Sequence, residues 1–351
     1  MRAVLALRAL GLGDALTGVP ALRGLRRARP GHLLVLAGPP DPGEWLRRRG
    51  VVDAVLPVEG VRALADDALA RALVERPDVL PPGRSLDLVA NLHGRGPQSA
   101  LALRALLDER GSADAVLVGH RCPAAGLDGP AWDPAAREVD RWVGLVAAAG
   151  GPCTPHDLLL AAEQRALAGA GPAGEALGEG AVVLHPGAAS GSRRWPPERW
   201  TAVAAALLDQ GRDVVLTGGP AEAPLTAAVA GRVPRPPGAG GRGRLVDLAG
   251  RLDLEQLAAL LASARALVCG DTGVAHLATA LRTPSVLLFG PTAPDAWGPS
   301  VDTDLHAVLW PVADAAHRGD PHGEEVDPVL ARTTPEDVLA ALAGLPGRPP
   351  A

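Results

Sequence analysis

Gly270-Asp271-Thr272-Gly273, with His276 three residues further on and Phe-Gly-Pro-Thr at 289–292, sets polar chemistry at the end of an apolar run. If Asp271 or Thr272 caps a helix here, the first N–H groups of that helix, from Gly273 and Val274, have no intrahelical acceptor. A phosphate is the natural occupant of such a corner, because free N–H groups and the helix dipole both favour an anion. His276 lies four positions beyond Thr272 and so shares its helix face, within reach of a phosphate or sugar oxygen. Alone it would read as a structural histidine; beside this cap, ligand binding is the better account.

A second cluster lies at 182–200, "VVLHPGAASGSRRWPPERW". His185 ends an apolar run, Gly187 and its small neighbours let backbone N–H groups approach an anion, and Arg193 can add a charge-assisted contact to phosphate oxygens. An isolated Arg-Arg pair is more often a solvated loop, and its place at a strand end shifts that balance. "VVLTGGPAEAP" at 214–224 has the same form, with Thr217 and Gly218 after the strand and Glu222 in the next helical turn. Glu222 either accepts from a ribose or base, or complements the helix dipole.

Two stretches of the first half repeat the pattern. In "LGLGDALTGVPALRGLRR", 10–27, Gly13 and Asp14 follow the first apolar run; Asp14 serves as a helix cap, as a carboxylate facing a cleft, or as both. Leu16 stands where a dinucleotide fingerprint needs its third small residue, which argues against a nicotinamide dehydrogenase. In "NLHGRGPQSA", 91–100, His93, Arg95 and Gln98 could line a polar pocket, although each alone reads as surface loop. Asp302 and Asp304, and His317, Asp320, His322 and Glu324, mix metal-capable side chains without ligand spacing, so no metal site is expected.

These residues fall at the ends of short apolar runs that alternate with Ala/Leu/Arg-rich stretches of helical period, the pattern of βα units around a parallel sheet. Strands are expected at 3–9, 33–37, 53–58, 86–92 and 114–119, then at 181–185, 213–219, 244–250, 266–271 and 285–290. Helices are expected around 14–29, 42–49, 60–75, 97–109 and 136–149, and between the later strands. Residues 171–180, rich in Gly and Ala, read as a linker between a domain at 1–170 and one at 181–330, with a C-terminal helix and Pro-rich tail at 331–351. Ligands of parallel sheets bind at the strands' carboxyl ends, where the polar clusters lie.

The 351 residues exceed what one hydrophobic core ordinarily supports, and an apolar share of 47% supplies two. A net charge of -5 without a long basic run gives no footprint for nucleic acid or an anionic membrane. Gly11, Gly13 and Asp14 interrupt the apolar N-terminus too early for a signal peptide or membrane span, so a cytoplasmic chain is expected. Three scattered cysteines form no disulfide framework. Every basic residue other than His is Arg, a composition that points to a genome rich in G and C.

The segments "GLGDALTGVPALRGLR", "HPGAASGSRRWPPERW", "LTGGPAE" and "LAGRLDLEQLAALLASARALVCGDTGVAHLATALRTPSVLLFGPT" resemble, in that order, glycosyltransferase family nine, best known for its ADP-heptose:lipopolysaccharide heptosyltransferases. The resemblance implies an α/β chain of GT-B fold, two Rossmann-like doubly wound domains facing a central cleft, with the C-terminal helix packing back on the first domain. It implies inverting, metal-independent transfer of heptose from ADP-heptose to a hydroxyl of a glycan or small-molecule acceptor. It carries the general base to Asp14, the diphosphate to Thr272, Gly273 and His276, sugar positioning to Asp271 and the ribose to Glu222. His185, Gly187, Arg193, Thr217 and Gly218 complete the donor side; Gly13, His93, Arg95 and Gln98, with loops 91–99 and 120–135, make the acceptor side. Arg193 stands where the family usually has Lys. A sugar-nucleotide epimerase and a non-catalytic nucleotide-sugar-binding protein are the competing expectations. The composition leaves open an acceptor other than lipopolysaccharide.

Overall fold

Ten apolar runs become ten parallel strands, and an eleventh joins them. The computed structural model describes residues 2–60, 68–81, 83–112, 114–161, 180–234, 243–314 and 317–347. The chain divides into two units, Met1–Leu158 and Leu159–Ala351. The stretch expected as a linker, apart from Gly180, lies outside the described residues, as does the 61–67 part of the helix expected at 60–75.

In the first unit the strands are β1 (Ala3–Leu7), β2 (Leu33–Gly38), β3 (Ala54–Pro57), β4 (Leu86–Asn91) and β5 (Val116–Val118). The helices are α1 (Leu12–Thr17), α2 (Val19–Ala28), α3 (Pro40–Arg48), α4 (Ala68–Glu75), α5 (Gln98–Glu109) and α6 (Glu138–Ala148). The sheet order is β3-β2-β1-β4-β5. All five residues of β1 are buried, as a central parallel strand covered on both faces requires, which is why it reads as a continuous apolar run. The helix expected over 14–29 breaks in two at Gly18. A Cβ on Gly18 would lie 2.8 Å from Cδ of Arg8, so the residue there has to leave room for that side chain.

In the second unit the strands are β6 (Val182–His185), β7 (Val214–Leu216), β8 (Leu245–Asp247), β9 (Ala266–Gly270), β10 (Ser285–Leu288) and β11 (His306–Leu309). The helices are α7 (Pro197–Asp209), α8 (Ala223–Arg232), α9 (Leu254–Ser263), α10 (Gly273–Ala280), α11 (Pro294–Trp297) and α12 (Pro335–Gly344). The order β11-β10-β9-β6-β7-β8 is all parallel, the doubly wound arrangement of a Rossmann-like unit. Strand β11 was not expected from sequence: it is a four-residue edge strand whose Val308 is exposed, so it lacks the continuous apolar signature. Helices begin where the chain supplies the chemistry. Asp253 and Gln256 form a reciprocal capping box at α9, and Thr334 accepts from the Asp337 N–H at α12, with Pro335 first in that helix.

Helix α12 belongs to the second unit, where it packs against α7, β10 and β11. Val338 and Leu345 bury their side chains in the core of Val286, Leu288, Trp195 and Leu330, and that apolar burial holds the helix there.

Candidate active site

In each sheet the strand order reverses beside the first strand of the unit: between β1 and β4 in one, between β6 and β9 in the other. Such a switch point opens a crevice outside the carboxyl ends of the two strands, because successive connections leave in opposite directions. Asp14 and His93 follow β1 and β4; His185 and Asp271 end or follow β6 and β9. Both clusters selected by residue type therefore lie at the place where the topology opens a ligand site.

In the second unit the chain leaves β9 through Asp271 and enters α10 at Thr272, an extended N-cap residue with φ −152° and ψ 164°. The Thr272 side chain makes no capping hydrogen bond, which differs from the cap expected of it. Thr272 and Gly273 are partly exposed, so the positive end of the dipole opens outward. His276 sits one turn in, buried, with its ring edge-on to Trp297 at 6.1 Å.

Arg193 reaches this corner from the loop after β6. Its NH1 donates to the Asp271 carbonyl at 3.3 Å and lies 3.8 Å from the Asp271 carboxylate, while Nε donates to Ser190 Oγ at 3.2 Å. Arg194 points elsewhere, exposed and bonded to the Ala188 carbonyl, so only the first arginine of the pair serves the site. The loop is anchored by its tryptophans. Trp195 and Trp200 are buried edge-to-face at 5.2 Å, and Trp195 Nε1 donates to the Thr333 carbonyl.

From its other side the same loop is braced by residues 317–327, the stretch of mixed His, Asp and Glu. Ser190 Oγ donates to the Pro321 carbonyl at 2.6 Å, the Ser192 N–H to Gly323 at 2.9 Å, and the Asp327 N–H to Ser192 at 3.1 Å. His317 pairs with the buried Asp327 at 3.3 Å. Asp302 is tied to Arg282 at 2.7 Å. Among the described residues no three His, Cys, Asp or Glu side chains gather as a metal-binding group.

The remaining donor-side residues form one network. His185 Nδ1 lies 3.0 Å from Thr217 Oγ1, and its Nε2 is 3.7 Å from Glu222 Oε2. Burial holds the imidazole pKa below its ordinary value, against the opposing pull of Glu222. The Glu222 carboxylate turns back to accept the Gly219 N–H at 2.7 Å. It lies over Gly187, where a Cβ would be 1.8 Å from Oε1, and against Gly218, where a Cβ would be 3.2 Å from Oε2.

In the first unit Gly13 and Asp14 lie in the opening turn of α1, and the Asp14 side chain is about a quarter exposed, at 26%. Its Oδ1 accepts from NH2 of Arg8 at 3.2 Å. Arg8 directly follows β1 and is 1% exposed, and sequence reasoning passed over it as part of an apolar run. The signal available was a charged residue at the end of a strand buried on both faces. The same NH2 reaches Thr17 Oγ1 at 2.8 Å and Glu138 Oε1 at 2.9 Å; Nε and NH1 donate to the carbonyls of Asp14 and Leu92.

His93 accepts the Ala9 N–H on Nδ1 at 3.1 Å. Burial, helped by the Arg8 charge, lowers its pKa to about 4, so at neutral pH the ring is uncharged and its remaining proton sits on Nε2. Arg95 and Gln98 are exposed, on the loop after β4 and at the start of α5. The 120–135 segment contributes His120 and Trp132, which pack edge-on at 5.0 Å beside Trp142.

Two Rossmann-like units in one chain, each with its polar cluster at the switch point, define the GT-B class of glycosyltransferase folds. Similar structures cover nearly all of the chain. An Escherichia coli ADP-heptose lipopolysaccharide heptosyltransferase II aligns over 97% of both chains with TM-score 0.75 and 23% identity. A family 9 glycosyltransferase from Veillonella parvula aligns over 97% of this chain and 96% of its own, with TM-score 0.75 and 17% identity. Residues 132–319, more than half of the chain, match the model of glycosyltransferase family 9 (heptosyltransferase), and the chain belongs to that family.

Curated relatives include lipooligosaccharide heptosyltransferase 2 of Haemophilus influenzae, 33% identical over 128 residues and 36% of each chain. Lipopolysaccharide heptosyltransferase 2 of Escherichia coli K12 is 35% identical over 115 residues, 32% of each. These matches span about a third of the relatives' length.

Proposed function

We propose that this chain is an inverting, metal-independent glycosyltransferase that moves heptose from ADP-heptose to a hydroxyl of a glycan or small-molecule acceptor. The observation that carries the reading is the second switch point, where the outward-facing N-terminus of α10, whose N-cap residue Thr272 makes no side-chain capping bond, meets the Arg193 guanidinium and His276. That arrangement suits a diphosphate. The N–H groups of α10 and the arginine supply positive charge for the leaving group, so the reaction needs no divalent cation there. Support for ADP comes from an Escherichia coli heptosyltransferase solved with ADP, of TM-score 0.67 and 22% identity over 98% of this chain.

In the proposed reaction the acceptor oxygen attacks the anomeric carbon from the face opposite the diphosphate. The carbon–phosphate-oxygen bond breaks, ADP leaves with the electron pair, and the hydroxyl proton passes to Asp14. Such base catalysis is typically worth about 10²–10⁴-fold. Asp271 positions the donor sugar, Glu222 the ribose, and His93 offers its Nε2–H on the acceptor side. No helix among the described residues is long and apolar enough to cross a membrane. The reading places the chain in the cytoplasm, with its nucleotide-sugar donor.

The test is calorimetry and turnover with ADP-heptose, and with UDP- and GDP-sugars as controls. Binding of ADP and ADP-heptose, with ADP release on adding a heptose-bearing acceptor, supports the reading; failure to bind any nucleotide sugar or diphosphate overturns it. Asp14→Ala is expected to keep donor binding and lose transfer.

A further inference from the structure

We infer that Arg8, held between Asp14 and Glu138, is a positioning residue that sets the orientation and proton affinity of the Asp14 carboxylate. The inference rests on the reading of Asp14 as the base. Its ground is the construction around Arg8. A guanidinium 1% exposed is expensive to bury unless every donor is matched, and here all three nitrogens are engaged. Nε and NH1 fix the group to backbone carbonyls, of Asp14 in α1 and of Leu92 just after β4, so its place is set by backbone rather than by either carboxylate alone. NH2 is then shared by Asp14 Oδ1, Thr17 Oγ1 and Glu138 Oε1.

Glu138 is in turn fixed by residues on its own helix. Trp142 Nε1 donates to Oε1 at 2.8 Å, Arg141 pairs with Oε2, and the Trp142 ring lies 4.8 Å from the Arg8 guanidinium. The network thus runs from the end of the sheet to Oδ1 of the Asp14 carboxylate. Gly18 is the matching clearance, since a Cβ there would press on the Arg8 side chain, which its hydrogen bonds hold in place.

Among the described residues, the following charged and titratable groups face this corner. Arg8 comes from the end of β1, Glu138 and Arg141 from α6, and neutral His93 from the end of β4. Asp140, also on α6, is exposed. Of the other helices packed on α1, α2 commits Arg26 to Asp53, and Arg23 and Arg27 to Asp157; α3 pairs Glu44 with Arg47 and carries Asp41 and Arg48 at its ends. A cation beside a carboxylate favours the ionised form, and a second carboxylate drawing on the same cation weakens that effect. Arg8 and Glu138 therefore act on Asp14 with opposite sign.

The experiment is the pH profile of kcat/KM for wild type, Arg8→Met, Arg8→Lys and Glu138→Gln, with ADP binding and thermal midpoint measured beside it. Arg8→Met is expected to move the acidic limb to higher pH by roughly 1–3 units, and Arg8→Lys to restore most of that shift. Glu138→Gln keeps the Trp142 contact and is expected to move the limb the other way. Opposite shifts are a signature that a scaffold role would not produce. An unmoved limb in Glu138→Gln or in folded Arg8→Met, or limbs that move the same way in both, overturns the inference. Should Arg8→Met fail to fold, the direction of the Glu138→Gln shift decides it. Transfer retained by Asp14→Ala would instead overturn the base reading, so the two failures are distinguishable.

Discussion

Replacing Gly187 with Ala places a methyl group where Glu222 sits. The new Cβ would be 1.8 Å from Oε1 and 2.1 Å from Cδ of Glu222, well inside any tolerable contact. Because Gly187 is backbone in the loop after β6, the carboxylate is the part that must move. It would give up its hydrogen bond from the Gly219 N–H, at 2.7 Å, and its place 3.7 Å from His185 Nε2. A charge-assisted hydrogen bond of this kind contributes about 1.5–3 kcal/mol, so loss of a Glu222 contact to the donor ribose weakens binding roughly 10- to 150-fold.

Gly187→Ala and Glu222→Ala should each show that loss, in calorimetry with ADP and in the donor KM. Combined, they should not add, because the methyl meets no carboxylate once Glu222 is removed; a coupling of order 1–3 kcal/mol is expected for contacting residues. Additive losses would refute the claim that Gly187 acts by making room for Glu222. Unchanged ADP affinity in Glu222→Ala would remove Glu222 from the donor site altogether.

Three further outcomes follow from the same geometry. Arg193→Ala should raise the donor KM by a factor of roughly 10–100, and Arg193→Lys should recover only part of it, since a single ammonium cannot reproduce a guanidinium donating to both Ser190 and Asp271; equal KM values for the Ala and Lys variants would argue against a charge role. Trp195→Ala removes a fully buried ring and its bond to Thr333, and should destabilise the second unit by about 3–5 kcal/mol in denaturant melts, with a midpoint unchanged from wild type as the contrary result. His306, buried against Ser285, has its pKa lowered by burial to about 4. Between about 4 and its ordinary 6.5 the unfolded chain binds the proton and the folded chain does not. Stability present above that window is therefore lost as pH falls through it, by an amount on the order of 3 kcal/mol for this group. The pH dependence of the denaturant midpoint should flatten in His306→Gln, and an unchanged slope would show that His306 does not contribute it.

The legible parts of this molecule are those whose cause is local. Central strands such as β1 and β9 are covered on both faces, so their residues read as uninterrupted apolar runs. The α10 corner is legible because strand end, cap and helix face occupy seven consecutive positions, 270–276. Arg8 was not, because its meaning lies in Leu92, 84 residues away, and Glu138, 130 residues away, and no local pattern joins them. Strand β11 escaped notice for a different reason: at the sheet edge only part of it is buried, which removes the continuous pattern. The 317–327 stretch looked like scattered metal-capable side chains, whereas its backbone carbonyls, invisible in residue types, brace the loop that carries Arg193.

The glycines sharpen what the two switch points share. Glycine beside a phosphate-type loop suggests a backbone approaching a ligand, yet Gly18 and Gly187 are cleared for protein side chains, Arg8 in one unit and Glu222 in the other. Neither has the positive φ that would explain glycine by backbone conformation alone. In both units a charged side chain is folded back over the carboxyl end of the sheet and fixed by backbone groups before any ligand arrives. Side chains fixed in this way have little conformational freedom left to lose on binding, which is the advantage of a preorganised site. It follows that enlarging either glycine should act chiefly through the side chain it makes room for. The effect of Gly18→Ala should accordingly fall on the pH profile set by Asp14, and that of Gly187→Ala on donor affinity.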